Sequence, residues 1–354
     1  MKRLVNKFFV HLRQKGLRQT ALKTGSYLTS LDNRLPHGPQ PHNPDMTAPE
    51  EALHETSKTA AKWDKSDEVY SIAGFKVYWE LLEEVQRYQN LMMTEGRDLV
   101  EYLSSFFPKG NRSGLTGLII GCNYGEASPP IALAKSGAFK RLLVVDIAKG
   151  LLGRQSQISS EMGLNHILEY KCMDLNRESL TGENSYDFIF ALGTIHHIGR
   201  LEGLFSEING CLRKGGIFCM REYIGPSFLQ YTDKQIHIAN RVLGGLPDYL
   251  KMQGDGSIKK EGWKPRIEEI MADDPSEAVR SQDIMRIVRT HTDVLVCRMT
   301  GGTILDPLLH GIAGNFERSD ASRAILRTII TLEQTLIEEG VIPSDFVFLV
   351  AQKR

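Results

Sequence analysis

The stretch Leu-Thr-Gly-Leu-Ile-Ile-Gly-Cys-Asn-Tyr-Gly at residues 115–125 decides the predicted fold. A short apolar run leads into a turn that carries Gly121 and Gly125, and a helix-like segment follows at residues 127–136. In open α/β sheets, a strand, a glycine turn and a helix in this order form a backbone crevice for a nucleotide-like ligand. Two glycines alone are a weak signal, so the prediction depends on the motifs that follow them.

Two further apolar runs end in acidic residues, which we expect at neighbouring strand tips. The run Arg-Leu-Leu-Val-Val-Asp ends in Asp146, whose carboxylate could accept both hydroxyl protons of an unphosphorylated ribose. The next run ends in Asp174, which could accept a hydrogen bond from an adenine amino group. A fourth run at residues 186–193 and a fifth at residues 216–223 complete the alternation of strands and helices, which predicts a parallel sheet.

The order of these motifs resembles the class I S-adenosylmethionine (SAM) dependent methyltransferases over most of residues 75–354. The resemblance implies a Rossmann-like, doubly wound, mostly parallel sheet of the seven-stranded methyltransferase type, with SAM as the cofactor. Many members carry glycine where this chain has Asn123, although asparagine tolerates left-handed backbone conformations better than most residues. We expect SAM to contact the following residues: Gly121, Cys122, Asn123, Gly125, Asp146, Ile147, Asp174, Leu175 and Leu192.

A dinucleotide-binding dehydrogenase is the competing interpretation, and the glycine turn argues against it. The dehydrogenase fingerprint Gly-x-Gly-x-x-Gly lets the backbone approach a pyrophosphate. In this chain Asn123 and Glu126 occupy the second and third glycine positions. A carboxylate at the start of the helix would repel a phosphate, whereas it could lie near the ammonium group of a methionine moiety. We therefore favour SAM over NAD.

Composition describes an ordinary folded chain and argues against several classes of protein. The 354 residues are 41% hydrophobic and have no net charge, which argues against nucleic acid as a partner, since phosphate binding needs a basic face. No apolar run approaches the roughly 20 residues that span a bilayer, and the N-terminal residues lack the apolar core of a secretory signal. The five cysteines are scattered, which fits a reducing cytoplasm and predicts neither zinc nor a disulfide framework.

We divide the chain into an N-terminal segment at residues 1–65 and a methyltransferase domain at residues 66–354. Residues 1–24 are basic and amphipathic, so they could contact an anionic membrane at its cytoplasmic face, or dock on a partner, or form a poorly ordered extension. A proline-rich linker follows them. Within the domain we expect cap helices at 66–110, a SAM-binding core at 114–224, a lid insertion at 225–280, and a C-terminal core with a second insertion at 281–354.

O-methylation requires alignment and a base, because a sugar hydroxyl group is not ionised at neutral pH. His196 and His197 follow the fourth strand, beside the expected position of the methyl group, and structural roles for both are the alternative. Glu222 ends the fifth strand, where apolar neighbours would raise its pKa and suit it as a base; a salt bridge to an arginine is the alternative. We expect no metal. Substrate contacts are expected from Arg221, Tyr223, Glu277, Arg280 and Trp79.

Sequence motifs in and around the inserted segments resemble one subgroup of this family. Residues 222–226, 274–280, 301–305 and 311–316 look like a subgroup of SAM methyltransferases that is associated with the synthesis of bacterial surface polysaccharides. This resemblance implies O-methylation of a sugar, a nucleotide-sugar or a glycan as the leading hypothesis. A methyltransferase that modifies a small metabolite at nitrogen, oxygen or carbon is one alternative, and a SAM-binding scaffold without activity is another.

Overall fold

The computed structural model describes residues 56–65, 71–72, 75–76, 78–107, 114–123 and 125–354. The basic residues 1–24 and the proline-rich linker lie outside the described residues. The strands are β1 Ser71–Ile72, β2 Phe75–Lys76, β3 Leu115–Ile120, β4 Phe139–Asp146, β5 Leu168–Cys172, β6 Tyr186–Leu192, β7 Leu212–Tyr223, β8 Thr292–Gly301 and β9 Phe346–Lys353. The helices are α1 Thr56–Trp63, α2 Glu83–Thr94, α3 Leu99–Ser104, α4 Pro129–Lys135, α5 Lys149–Glu161, α6 Leu201–Cys211, α7 Asp233–Gly244, α8 Asp248–Lys251, α9 Ile267–Asp273, α10 Ile284–His291, α11 Leu305–Leu309 and α12 Asp320–Glu338.

A seven-stranded sheet with the order β5-β4-β3-β6-β7-β9-β8 forms the centre of the molecule. The strands β3 to β7 run parallel to one another, and β9 pairs antiparallel with both β7 and β8. The predicted Rossmann-like fold is therefore confirmed. In an open parallel sheet, ligands bind beyond the carboxyl ends of the strands, so this edge is where the site is expected.

Hydrophobic cores on both faces of the sheet explain why the strands read as continuous apolar runs. Successive side chains of a strand point to opposite faces. Accordingly, Leu118 and Ile189 belong to the core on one face, which α6 and α10 cover. Ile119 and Phe188 belong to the core on the other face, which α4 and α5 cover. Burial on both faces is typical of parallel strands.

The two predicted insertions pack against each other in a third hydrophobic core. Val85 of α2, Leu243 of α7, Leu308 of α11 and Ile330 of α12 contribute to this core. Tyr223, at the end of β7, also belongs to it, so the helical layer covers the edge where the parallel strands end. Within the described part of the chain, none of the helices has the length and apolar character needed to cross a bilayer.

The turn after β3 requires glycine at its first position. Gly121 has a φ of +96°, in the left-handed region that side chains rarely adopt. A Cβ atom at this position would lie 2.1 Å from the Thr194 hydroxyl oxygen and 2.8 Å from the Leu192 carbonyl oxygen. The backbone of the turn after β3 therefore packs directly against the turn after β6.

We expect Gly121→Ala to lower the free energy of unfolding by about 3 kcal/mol, because the new Cβ adds both backbone strain and a clash. The matched control is Gly153→Ala, on the exposed face of α5, where nothing lies within 4 Å of an added Cβ. That change should raise stability by about 0.5–1 kcal/mol, because alanine favours helices. Chemical denaturation of both variants measures the difference, and equal stability of the two would contradict the packing of the turn.

Candidate active site

A cleft of about 350 Å³ opens at the carboxyl ends of the parallel strands. Most of the residues expected to contact SAM line this cleft: Cys122, Asn123, Asp146, Ile147, Asp174, Leu175 and Leu192. The other two, Gly121 and Gly125, shape the loop that carries Cys122 and Asn123. Both predicted acidic residues thus face one shared cavity from neighbouring strand tips.

The Asp146 carboxylate connects two loops of the cleft. Its Oδ2 atom accepts a hydrogen bond from the Cys122 backbone N–H at 2.7 Å, and its Oδ1 atom accepts one from Ala148 at 2.8 Å. Burial raises the pKa of Asp146, against these backbone hydrogen bonds, which lower it. Asp146 lines the cleft, where a carboxylate can accept further hydrogen bonds from a ligand.

A second link joins the loop after β5 to the turn that carries the histidines. Asp174 accepts a hydrogen bond from the Asn176 backbone N–H at 2.9 Å. The Asn176 amide donates to the His197 carbonyl oxygen at 3.0 Å and accepts from Gly199 at 2.8 Å. The expected adenine end of the cleft and the histidine turn are therefore fixed relative to each other.

Gln155 of α5 is a structural part of the site that the sequence did not reveal. Its side chain is fully buried, accepts a hydrogen bond from the Gly125 N–H at 2.9 Å, and donates to the Gly125 carbonyl oxygen at 3.2 Å. It also donates to the Ser128 hydroxyl at 2.9 Å. A glutamine in the middle of a polar helix gives no sequence signal for this role, because surface helices commonly carry glutamine.

Helix α1 also lines the cleft, although the sequence analysis placed its residues in the N-terminal segment. Thr56, Thr59 and Trp63 face the cavity. Asp64, just after the helix, accepts a hydrogen bond from the Gly150 N–H at 2.7 Å at the start of α5. The domain boundary near residue 66 remains a prediction, but α1 packs on the same cleft as the residues expected to bind SAM.

Glu222 is buried and accepts four hydrogen bonds at the end of β7. The donors are the backbone N–H groups of Thr194 (3.0 Å), Ile195 (2.7 Å) and Tyr223 (2.9 Å), together with the His196 ring. Burial raises the pKa of Glu222, but the charge of His196 and these hydrogen bonds lower it by more, so the pKa of Glu222 lies below its usual value. The expectation of a raised pKa was therefore wrong, as was the salt bridge to an arginine, because the partner of Glu222 is His196.

The His196 ring lies between two glutamates. Its Nδ1 atom pairs with Glu222, and its Nε2 atom is 3.5 Å from a Glu277 oxygen. Burial lowers the pKa of His196, but the charges of Glu222 and Glu277 and the hydrogen bond to Glu222 raise it overall to about 9. At neutral pH this ring is therefore an imidazolium ion.

His197 has the opposite protonation state and a different set of contacts. It lines the cleft, and its Nδ1 atom lies 3.0 Å from the Ser276 hydroxyl oxygen. Its ring centroid is 4.2 Å from that of His196. Burial and the charge of His196 lower the pKa of His197. The adjacent histidines are thus one charged and one neutral ring.

Among the expected substrate contacts, Glu277 and Tyr223 lie beside His196: a Glu277 oxygen is 3.5 Å from its Nε2 atom, and the Tyr223 ring centroid is 6.2 Å from that of the histidine. Arg221 is paired with Glu80 and Gln89. Trp79 is fully buried in the third core, which contradicts its expected contact with substrate. Tyr223 is buried and donates to the Pro226 carbonyl oxygen, and Arg280 binds Glu202 and Asp283; contact of these two with substrate stays a prediction.

A potential metal-binding group is present that sequence spacing did not indicate. His196, His197 and Glu277 each place one ligand atom within 4.8 Å of the others. Glu277 comes from the lid insertion, so its position beside the histidines depends on tertiary structure. Both ring nitrogens of His196 face carboxylates, and a proton on this ring already supplies positive charge.

Comparisons with known proteins agree with this architecture. Residues 118–220 match the family described as methyltransferase domain. A sterol 24-C-methyltransferase of Gibberella zeae is 27% identical over 220 residues, which are 59% of this chain and 55% of that protein. A phosphoethanolamine N-methyltransferase of Caenorhabditis elegans is 26% identical over 159 residues, which are 37% of this chain and 36% of that protein. The chain thus spans about half or less of the length of these relatives.

Among solved structures, a geranyl diphosphate C-methyltransferase from Streptomyces coelicolor is 14% identical with a TM-score of 0.40. The match covers 72% of this chain and 78% of that chain, which was solved with Mg²⁺, geranyl diphosphate and S-adenosyl-L-homocysteine. The match of residues 118–220 to the methyltransferase family agrees with the predicted enzyme class and with SAM as the predicted cofactor. The sheet order and the cleft agree with the match of residues 118–220 to the methyltransferase domain family, which resembles the class I SAM-dependent type.

Proposed function

We propose that this protein transfers the methyl group of SAM to a hydroxyl group of a small-molecule acceptor. The observation that carries the proposal is that Asp146, Asp174 and His197 line a single cleft at the carboxyl ends of the parallel strands. Two acceptors for the adenosine and a proton-accepting ring at one cavity are the parts that this reaction needs.

The chain's own residues bind and orient the cofactor. Asp146 accepts the ribose hydroxyl groups, and Asp174 accepts from the adenine amino group. Gln155 holds the glycine loop in place through Gly125. Bound there, SAM supplies a methyl group on a positively charged sulfur, which is already a good electrophile.

The histidine turn supplies the proton chemistry. The acceptor oxygen forms a bond to the methyl carbon as the carbon–sulfur bond breaks, which leaves S-adenosylhomocysteine and a proton to be removed. His196, His197 and Glu222 are the groups proposed for this end of the cleft. Glu222 already accepts four hydrogen bonds and has a lowered pKa, so it is not suited to accept a proton. Its proposed role is to orient the His196 ring and to stabilise the positive charge on it.

The charges near the histidines favour an acceptor that is neutral and rich in hydrogen-bond donors. Glu222, Glu277 and Asp274 outnumber the positive charges of Lys62 and His196 in this region. An anionic group at the reacting position would be repelled. A sugar hydroxyl fits this environment, and so does the hydroxyl group of another small metabolite.

The names of the relatives support small-molecule acceptors and give no support to polysaccharide synthesis. A sugar or glycan acceptor is therefore a proposal that rests on the acidic surroundings of the histidines and on the resemblance of the inserted segments. Contact of residues 1–24 with the inner face of a membrane, and a cytoplasmic location, also stay proposals. A SAM-binding scaffold without turnover is the alternative from another functional class.

We expect Asp146→Ala to weaken SAM binding roughly 30- to 150-fold, because about 2–3 kcal/mol of charged hydrogen bonding to the ribose is lost. Isothermal titration with SAM and with S-adenosylhomocysteine measures the change. The matched control is Asp187→Ala at the opposite end of β6, where the carboxylate also accepts a backbone hydrogen bond, from Thr116 at 2.8 Å. Equal losses in both variants would mean that the ribose is held elsewhere.

We expect Glu222→Gln to preserve SAM affinity but to lower turnover at least about tenfold, because an amide cannot accept all four hydrogen bonds and no longer balances the charge of His196. The pKa of His196, followed by NMR, should fall from about 9. Glu202→Gln, which removes a partner of Arg280 but does not contact the histidines, is the control. Full turnover of Glu222→Gln would exclude the proposed role.

The acceptor class is tested by offering the protein and labelled SAM a panel of sugars, nucleotide-sugars, sterols and amino alcohols. We expect methylated product from neutral, hydroxyl-rich acceptors, and mass spectrometry with NMR identifies the methylated atom. Product from sterols or amino alcohols alone would contradict the sugar proposal. Tight SAM binding without product from any acceptor would favour the scaffold.

A further inference from the structure

The rings of His196 and His197 have different hydrogen-bond partners. His197 Nδ1 contacts the Ser276 hydroxyl oxygen at 3.0 Å, and this hydroxyl donates to Asp274 Oδ1 at 2.8 Å. Asp274 has no exposed surface and also accepts from the Thr59 hydroxyl at 2.6 Å and the Trp63 indole N–H at 3.0 Å. The His197 ring, the Ser276 hydroxyl and the buried Asp274 carboxylate thus form a hydrogen-bonded chain. Thr59 and Trp63 of α1 donate the further hydrogen bonds to this carboxylate.

This chain determines the tautomer of His197. Because the Ser276 proton points to Asp274, the Ser276 oxygen is left to accept a hydrogen bond from the ring. The Nδ1 atom of His197 therefore carries the hydrogen, and its Nε2 atom keeps the lone pair. A neutral ring with a defined tautomer is what a general base requires.

We propose that His197 accepts the proton of the acceptor hydroxyl group, and that Ser276 and Asp274 are positioning residues that fix its tautomer and orientation. The proposal rests on the proposed function and assigns the base within it. The proton moves from the acceptor oxygen to His197 Nε2 as the carbon–oxygen bond forms. The positive charge that leaves the sulfur thereby appears on His197, so the total charge of the cleft is conserved.

His196 is less suited to this step, because both of its ring nitrogens face carboxylates. The charged groups that surround His197 come from several elements. They are His196 of the same turn, Glu222 of β7, Asp274 and Glu277 of the lid insertion, and Lys62 of α1, which lies 4.0 Å from Asp274 and 3.9 Å from Glu277. Burial and His196 lower the pKa of His197, while the carboxylates partly offset them.

The pH dependence of turnover separates the two histidines. If His197 is the base, half-maximal kcat falls below pH 6.5, because burial and the charge of His196 lower the pKa of His197 below its usual value. If His196 is the base, half-maximal kcat falls near pH 9, where its pKa lies. In the cofactor-free protein, NMR of ring-labelled histidine should show His197 with hydrogen on Nδ1 at neutral pH.

Ser276→Ala tests the positioning chain. We expect kcat to fall about 10- to 100-fold while KM and the Kd of SAM change less than twofold, since only the orientation of the base is lost. The NMR signals of His197 should show a mixture of tautomers. Ser276→Thr keeps the hydroxyl group and should restore the tautomer and most of the activity. Ser281→Ala, which removes a buried hydroxyl bonded to Gly225 and Ala278, is the control that should retain kcat.

Three results would overturn the proposal. They are half-maximal kcat near pH 9, unchanged kcat and tautomer in Ser276→Ala, and activity that is lost on chelation and restored by Mn²⁺, which would make the histidines metal ligands. Failure of the proposed function gives a different result, because the full chain would then bind no SAM or methylate no acceptor. The tautomer measurement on the free protein remains decisive for the positioning chain in that case.

Discussion

The carboxylate of Glu222 is the constraint on which the site depends. It accepts the backbone N–H groups of Thr194 and Ile195, so the turn after β6 is bound to the end of β7. Thr194 in turn presses against Gly121, where a side chain has no room. The turn that carries the histidines is therefore held between the end of β7 on one side and the glycine loop after β3 on the other. Burying that charge is costly unless every acceptor position is used, and the four donors around Glu222 meet this requirement.

The sequence was sufficient where local patterns determine the structure. The apolar runs, the glycines and the acids at the run ends predicted the sheet and the residues that line the cleft. Prediction failed where residue type allowed two roles. An aromatic residue at helical spacing, such as Trp79, fits a core as well as a binding site. The Trp79 side chain is buried in the third core. The pKa of Glu222 was misjudged because its donors lie 26 to 28 residues away in sequence or are backbone groups, which residue patterns do not show.

The inserted segments and α1 form one structural unit around the cleft. Asp274 belongs to the lid insertion, yet its hydrogen-bond donors Thr59 and Trp63 lie 215 and 211 residues earlier in the chain. Lys62 of the same helix contacts Asp273 at 2.7 Å. Such a connection is invisible in sequence because nothing local links the partners. It also means that residues 56–65 contribute to the site itself, so the acidic surroundings of the histidines depend on α1 as well as on the lid insertion.

The neighbouring histidines show how one arrangement produces two chemically different rings. Two imidazolium ions with centroids 4.2 Å apart repel each other strongly inside a protein. Glu222 and Glu277 stabilise the charge on His196, and this charge disfavours a proton on His197. A neutral ring beside a charged one is then the state that the surrounding carboxylates select. In the proposed transfer, the loss of positive charge from the sulfur would remove a repulsion that adds to that of His196. His197 would thereby become a better proton acceptor as the acceptor oxygen loses its proton.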